Sequence, residues 1–346
     1  MPRKIYIAYT GGTIGMKHTP NGYVPAVGYL AEQLAMIREL QDPQMPNYTI
    51  HEYDPLLDSS NMTPQDWINI ALDIQAQYDQ YDGFVVLHGT DTMAYTASAL
   101  PFMLQGLSKP VILTGSQIPL CELRNDAREN LITALLIAAD YAIPEVCLYF
   151  GGKLLRGCRS VKVHATGFQA FDSPNYPPLG TVGVDIDIHW DQVLPADEDP
   201  NRPLRIQKLD DHVVGALRIF PGMSAQWVEK VLEPPLKGLV LEAYGVGNAP
   251  SNNIALLDAL RRAADRGVVI VDCSQCLYGR VDLGDYETGS ALAKAGVISG
   301  QDMTVEAALA KLYFLFSAGY QPEDVKWAMG QNLRGELTPL TPFPPS

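Results

Sequence analysis

The run Phe84-Val85-Val86-Leu87 is apolar at every position, so as a β-strand it must be covered on both faces. Strands of that kind form the interior of a parallel sheet, because parallel connections need crossovers and the crossover helices pack onto the faces. Short runs rich in β-branched residues recur along the chain, at 5–9, 48–53, 83–87, 111–114, 146–150, 213–219, 238–241 and 268–271. Helical patterns separate them, at 30–40, 64–78 with Thr63 as N-cap and Pro64 in the first turn, 92–104 and 127–139, and later at 252–264, 290–295, 305–317 and 322–329. The alternation predicts an α/β fold, a mostly parallel sheet flanked by helices. It breaks between Asp191 and Asp211, where acidic residues and prolines crowd a polar stretch. The expected organisation is a larger N-terminal α/β domain over 1–190, a linker over 191–212, a smaller C-terminal α/β domain with a parallel sheet over 213–334, and a Pro-rich tail over 335–346 that frays or lies extended.

Composition narrows the function. The 346 residues are 47% apolar and 18% charged, which describes a chain that buries a large core. With 25 Lys+Arg against 39 Asp+Glu the formal charge is −14, so nucleic acid and anionic membrane surfaces are disfavoured as partners. No apolar run approaches the roughly 18 residues of a membrane span, and residues 1–12 lack a signal-peptide pattern. The expectation is a cytoplasmic, enzyme-sized protein. Its five cysteines are odd in number and irregularly spaced, which argues against a secreted disulfide framework. Cys273 and Cys276 form a C-x-x-C, yet no second pair completes a metal site; they read as small residues closing a buried strand.

In an open parallel sheet, ligands bind beyond the carboxyl ends of the strands. Here those positions are rich in hydroxyls: Thr10-Gly11-Gly12-Thr13-Ile14-Gly15, then Asp58-Ser59-Ser60, His88-Gly89-Thr90-Asp91-Thr92 and Gly115-Ser116. The first carries glycines that let backbone approach a ligand, but neither a P-loop nor a dinucleotide fingerprint follows. Alone, it reads first as a tight strand-to-helix turn. Thr90 beside Asp91 puts a carboxylate next to a hydroxyl, although Asp91 could merely cap the next helix. A hydroxyl nucleophile needs a base, and Lys162 is one possibility, as is a surface role for that lysine. His88 ends an apolar strand and reads as a structural histidine. Tyr23 lies on a Gly- and Pro-punctuated segment that could move as a lid or be a plain exposed loop.

Thr10-Gly11-Gly12-Thr13-Ile14 together with His88-Gly89-Thr90-Asp91-Thr92 resembles the asparaginase/glutaminase family of bacterial type. Resemblance to its cytoplasmic type I branch extends through 58–64, 245–250 and 332–337, and so over nearly the whole chain. It implies hydrolysis of L-asparagine to L-aspartate and ammonia by a covalent route that needs no metal or organic cofactor. On that resemblance Thr13 is the nucleophile, with Tyr23 close to its hydroxyl. Thr90, Asp91 and Lys162 form a second hydrogen-bonded set in which neutral Lys162 takes a proton. The substrate is held at Asp58, Ser59, Ser60, Thr90 and Asp91, the serines taking its α-carboxylate and Asp91 its α-ammonium.

The family also implies a homo-oligomer, a dimer or a dimer of dimers, with Asn248 near the subunit boundary. The carboxylate that secreted relatives contribute there has no clean match, and Tyr286 is offered instead. Some type I enzymes resemble one another in an asparagine effector site; this chain has Val161 and Glu242 at positions where their pattern has Thr and Arg, so weak or absent cooperativity is expected. The rival readings are a mixed glutaminase-asparaginase, an amidase subunit serving tRNA amidation, and a catalytically silent amino-acid sensor. The amidase subunit normally carries an extra N-terminal domain, whereas this chain is expected to open directly on its first strand.

Overall fold

The computed structural model describes residues 3–20, 22–197, 199, 202–284 and 287–339. It divides into two compact units, Met1–Ile206 and Gln207–Ser346. In the first unit the elements run β1 (Lys4–Gly11), a hairpin β2 (Met16–Thr19) and β3 (Gly22–Pro25), α1 (Tyr29–Ala35), β4 (Asn47–Leu57), α2 (Pro64–Gln77), β5 (Gly83–Leu87), α3 (Met93–Met103), β6 (Leu104–Gln105), β7 (Val111–Thr114), α4 (Ala127–Asp140), β8 (Val146–Phe150), β9 (Lys153–Arg156), β10 (Val161–Lys162), β11 (Phe171–Asp172), β12 (Gly180–Val182), β13 (Ile186–Ile188) and β14 (Arg205–Ile206).

Eight of these strands form one sheet in the order β13-β12-β9-β8-β7-β5-β1-β4. The pairs from β8 to β4 are parallel, and the pairs from β8 out to β13 are antiparallel. The all-apolar run sits where two-sided burial demands, with β5 buried throughout between β7 and β1. Alternation then sorts its side chains. Val85 and Leu87 join Ile5, Ile7 and Ile112 in a cluster with Leu131, Leu135 and Ala138 of α4. Phe84 faces the other way and stacks on Tyr78 at the end of α2, with ring centroids 5.7 Å apart. Helix α2 begins as its sequence suggests, Asp66 accepting from both the backbone N–H and the hydroxyl of Thr63.

The second unit holds β15 (Val214–Arg218), α5 (Ala225–Val231), β16 (Gly238–Ala243), α6 (Ile254–Asp265), β17 (Val269–Ser274), α7 (Glu287–Lys294), β18 (Ile298–Ser299), α8 (Val305–Ser317) and α9 (Pro322–Met329). Its four strands pair in parallel in the order β15-β16-β17-β18. The fold is therefore α/β, with a large, mostly parallel N-terminal sheet and a separate smaller parallel one.

Several details differ from expectation. The helix expected over 30–40 stops at Ala35, and a short 3-10 turn at Glu39–Gln41 keeps Ile37 and Leu40 in the same core as Leu30 and Leu34. An apolar repeat every three or four residues thus needs no unbroken helix. Part of the stretch expected as a linker is fastened down, because Arg205–Ile206 pairs antiparallel with Leu104–Gln105 and Gln75 Nε2 donates to Leu204 O at 3.1 Å. The segment carrying Tyr23 is a β-hairpin strand rather than a bare loop. The Pro-rich tail expected to fray from 335 is instead fastened at its start, where Glu336 and Leu337 are buried and Glu336 pairs with Lys311; residues 340–346 lie outside the described residues. Cys273 is buried at the end of β17 and Cys276 exposed beyond it, both as free thiols. Among the described residues no helix is long and apolar enough to cross a membrane.

Candidate active site

The four strands β7-β5-β1-β4 are neighbours, so the segments leaving their carboxyl ends crowd one edge of the sheet. After β1 the chain turns through Gly11 and Gly12 at φ 129° and 88°, a region that L side chains rarely adopt, and enters a 3-10 turn at Thr13–Gly15. Close backbone approach explains the glycines further. A Cβ on Gly12 would lie 2.5 Å from both Cα and N of Gly89, and a Cβ on Gly89 would collide with the Ser59 side chain. The loops bearing Thr13, Ser59 and Thr90 are thus packed backbone on backbone with no room for a side chain between them.

Asp58, Ser59 and Ser60 follow β4. Asp58 Oδ1 accepts from the Ser60 backbone N–H at 3.0 Å and from its hydroxyl at 2.9 Å, which closes the turn. Ser59 is buried, and its carbonyl accepts from the Thr92 hydroxyl at 2.7 Å, tying the β4 loop to the β5 loop. Thr92, not Asp91, takes the N-cap position of α3. That leaves Asp91 free for other work.

That work is an ion pair. Lys162, on the short strand β10, places its Nζ 2.7 Å from Asp91 Oδ1 and 3.0 Å from Thr90 Oγ1. The Thr90 hydroxyl donates in turn to Gln117 Oε1 at 3.2 Å. Gln117 is braced on both sides: its Nε2 donates to the carbonyls of Ala165 and Gly167, and its backbone N–H to the buried carboxylate of Asp126. Thr90 is buried, whereas the Asp91 side chain is 64% exposed. The ammonium thus bridges a buried hydroxyl and an exposed carboxylate.

Tyr23 donates its hydroxyl to Glu122 Oε1 at 2.8 Å and packs edge-on against His18. No hydrogen bond joins it to Thr13 among the described residues, although its strand lies against the Thr13–Gly15 turn. The bond to Glu122 raises the phenol's pKa above its usual value. His88 is fully buried, its Nδ1 2.7 Å from Gly89 O and its Nε2 2.8 Å from the Thr96 hydroxyl. A carbonyl can only accept, so Nδ1 carries the proton and Nε2 accepts from Thr96. Burial pushes its pKa down to about 4, and it is the structural histidine that its strand-end position suggested.

Gln117 and Glu122 were not read from the sequence. Gln117 stands one position past Gly115-Ser116 and was within reach of the same strand-end logic; Glu122 carries no local signal at all. In the second unit, Asn248 Oδ1 accepts from the Thr288 hydroxyl at 2.5 Å, while Tyr286 lies outside the described residues. Among the described residues no group of three or more His, Cys, Asp or Glu side chains is placed to hold a metal ion.

Comparison with known proteins agrees with this architecture. Residues 4–194 match the family described as Asparaginase, N-terminal, and residues 213–329 the Glutaminase/Asparaginase C-terminal domain. The chain is 55% identical over 337 residues to L-asparaginase 1 of Escherichia coli K12, covering 97% of this chain and 98% of that one. Among solved structures it is similar to L-asparaginase I from Vibrio cholerae, with a TM-score of 0.90 and 52% identity over 98% of this chain and 100% of that one. It is also similar to the thermostable L-asparaginase from Thermococcus kodakarensis, with a TM-score of 0.86 and 36% identity over 97% and 99% of the two chains. With both family domains matched and relatives this similar along nearly its full length, the chain belongs to the asparaginase/glutaminase family.

Proposed function

We propose that this protein is an L-asparaginase, hydrolysing L-asparagine to L-aspartate and ammonia through an ester on Thr13. The observation that carries the reading is Lys162 Nζ held between Thr90 Oγ1 and Asp91 Oδ1 at the sheet edge that also bears Thr13. Thr13 Oγ attacks the side-chain amide carbon and the carbonyl oxygen becomes an oxyanion. Backbone N–H groups of the two threonine loops stabilise it, at about 3 kcal/mol per well-aimed donor. Collapse breaks the C–N bond, and ammonia leaves with the proton given up by Thr13. In its neutral form Lys162 takes, by way of Thr90, the proton of the water that attacks the ester, and that proton is delivered to Thr13 Oγ as the ester C–O bond breaks and aspartate departs. The loops that carry these groups are packed backbone on backbone, and holding reacting groups in place is a source of enzymatic rate.

The two charges of a free amino acid need two anchors. Ser59 and Ser60, with Asp58 setting their turn, suit the α-carboxylate; the exposed carboxylate of Asp91 suits the α-ammonium while keeping Lys162. A γ-amide is one methylene longer, a difference worth about 1–3 kcal/mol, so some glutamine hydrolysis accompanies the main activity. The protein acts in the cytoplasm as a homodimer or a dimer of dimers, with Asn248 close to the neighbouring subunit's site.

One observation favours a second assignment of roles. Lysine contacts Thr90, not Thr13, so Thr90 is the alternative first nucleophile. Ammonia release from L-asparagine and L-glutamine by wild-type, Thr13→Ala and Thr90→Ala protein decides the matter. Asparagine hydrolysis abolished by Thr13→Ala, with burst release of ammonia surviving in Thr90→Ala, supports the ester on Thr13. The opposite pattern moves it to Thr90, and a wild-type protein inert on both amides but thermally stabilised by aspartate would be a sensor.

A further inference from the structure

The β2–β3 hairpin presents mostly exposed residues along both strands, so it buries little apolar surface of its own. A two-stranded hairpin with no hydrophobic face is marginal in water, and its position must come from ties to something else. Lys17 Nζ of β2 lies over the Tyr29 ring of α1, 5.9 Å from its centroid, and the other ties run to one segment, residues 115–126 beyond β7. Leu120 N–H donates to Ile14 O at 3.1 Å, Cys121 Sγ to Met16 O at 3.6 Å, and the Tyr23 hydroxyl to Glu122 at 2.8 Å. The segment is itself rigidly held. Asp126 accepts from the N–H groups of Gln117 and Ile118, and Asn125 Nδ2 donates to the Glu122 carbonyl at 2.6 Å and the Leu120 carbonyl at 3.3 Å.

From this geometry we infer that Glu122 is a positioning residue for the reaction, a latch that fixes the β2–β3 hairpin over the Thr13 turn by holding the Tyr23 hydroxyl. The inference rests on the reading of Tyr23 as a group of the site. The bond does two things. It anchors the second strand of the hairpin at its most exposed large hydrophobic side chain, Tyr23 being 43% exposed. It also fixes the direction of the phenol proton: with O–H aimed at Glu122, the oxygen lone pairs face away from the carboxylate, and the phenol can only accept from its other neighbours. The carboxylate keeps the phenol protonated in that orientation, consistent with its raised pKa. A charge-assisted bond is roughly twice as strong as a neutral one, and it is the side-chain contact that spans from the hairpin strand β3 to the braced segment.

The test measures kcat and KM for ammonia release from L-asparagine, with thermal melts alongside, in Tyr23→Phe, Glu122→Ala, Glu122→Gln, Glu122→Asp and the Tyr23→Phe/Glu122→Ala double variant. The latch predicts that Glu122→Ala lowers kcat/KM about tenfold or more, moving kcat and KM together as lid variants do. Because Glu122 acts through Tyr23, the double variant should be no worse than Tyr23→Phe. Reach matters more than charge, so Glu122→Gln, whose amide oxygen still accepts, should outperform Glu122→Asp, which keeps the charge but is one methylene short. Losses that add in the double variant, or Glu122→Ala at wild-type kcat/KM while Tyr23→Phe is impaired, overturn the latch and leave Tyr23 in the site. Tyr23→Phe at full activity removes the reading beneath it and the latch with it. Should the alanine variant fail to fold, the order of the glutamine and aspartate variants still decides, and Asp above Gln overturns the proposal.

Discussion

Lys162 and Lys311 each meet a carboxylate at short range, 2.7 Å to Asp91 and 2.6 Å to Glu336, yet the two pairs do different things. Lys311 and Glu336 are 0% exposed. Lys311 spends its other donors on the carbonyls of Met329 and Gln331, and Glu336 accepts from the N–H groups of Leu333 and Arg334. All three ammonium donors are committed, and the pair clamps the segment after α9 onto α8. Lys162 has two of its three donors engaged among the described residues, and its carboxylate partner is mostly in solvent. A saturated pair is structure, whereas one with unused hydrogen-bonding capacity at a surface has something left to offer a substrate.

The comparison is sharpest in catalysis. Lys162→Met should lower kcat for asparagine about a thousandfold, within the usual range for losing a proton-transfer group, while shifting the unfolding free energy by no more than about 1 kcal/mol. Denaturant unfolding and single-turnover ammonia release on the same preparation check both halves. A large loss of stability would make Lys162 a second clamp and break the distinction.

Lys311→Met should do the reverse, costing about 3–5 kcal/mol because it strands the Glu336 carboxylate in the interior. Activity per folded molecule should hold. Replacing both partners with apolar residues should recover only part of the loss, since Glu336 also satisfies two backbone N–H groups.

A smaller contrast separates the two units by pH. His88 in the first unit has its pKa lowered to about 4, so the folded state binds fewer protons than the unfolded one between that value and about 6.5. The stability it contributes is present above the unfolded value and drains away as pH falls towards 4. In the second unit, burial raises Asp272 to about 8 and Glu306 to about 7. Neither Asp272 oxygen has a hydrogen-bond partner among the described residues. For these groups the sign is opposite: their contribution is full below about 4 and is lost as pH rises through 7 and 8. Each group can change the unfolding free energy by up to about 1.4 kcal/mol per pH unit within its window. Hydrogen exchange across pH 5 to 8 should show the second unit loosening on the alkaline side, and Asp272→Asn should flatten that trend. An unaltered slope in the variant would assign the effect elsewhere.

The smallest expected effect is on the shape of the rate curve. Glu242, where the resemblance leads to an expectation of arginine in an effector site, is paired with Arg218 at 3.3 Å, and Val161 offers no hydroxyl. Rate against asparagine concentration should be hyperbolic. A sigmoidal curve would break the expectation, and Val161→Thr with Glu242→Arg would be the way to look for gain of cooperativity.

Much of the fold was legible because it depends on short-range patterns. The runs at 83–87, 111–114 and 146–150 are strands with those very limits, since short, almost wholly apolar runs bounded by turn signals fit strands covered on both faces. Helices α8 and α9 likewise begin and end where their periodicity does. The antiparallel edge formed by β9, β12 and β13 was missed: these strands are short and half-polar, and edge strands need not be buried on both faces. Thr13, Ser59, Ser60, Thr90 and Asp91 could be nominated because strand ends in a parallel sheet share one edge. Gln117 and Glu122 could not be ranked above other polar residues, as their importance lies in whom they touch.

Local sequence was thus sufficient to assign the α/β class, the two sheets and the hydroxyl-rich loops, because backbone sterics and two-sided burial act over a few residues. It could not separate Lys162 from Lys311, both plain lysines in mixed surroundings. Nor could it tell that Asp91 would leave the helix cap to Thr92 and pair with a lysine 71 residues away. Those outcomes follow from contacts made between distant segments, where burial, the number of competing donors and access to water set what each charge can do.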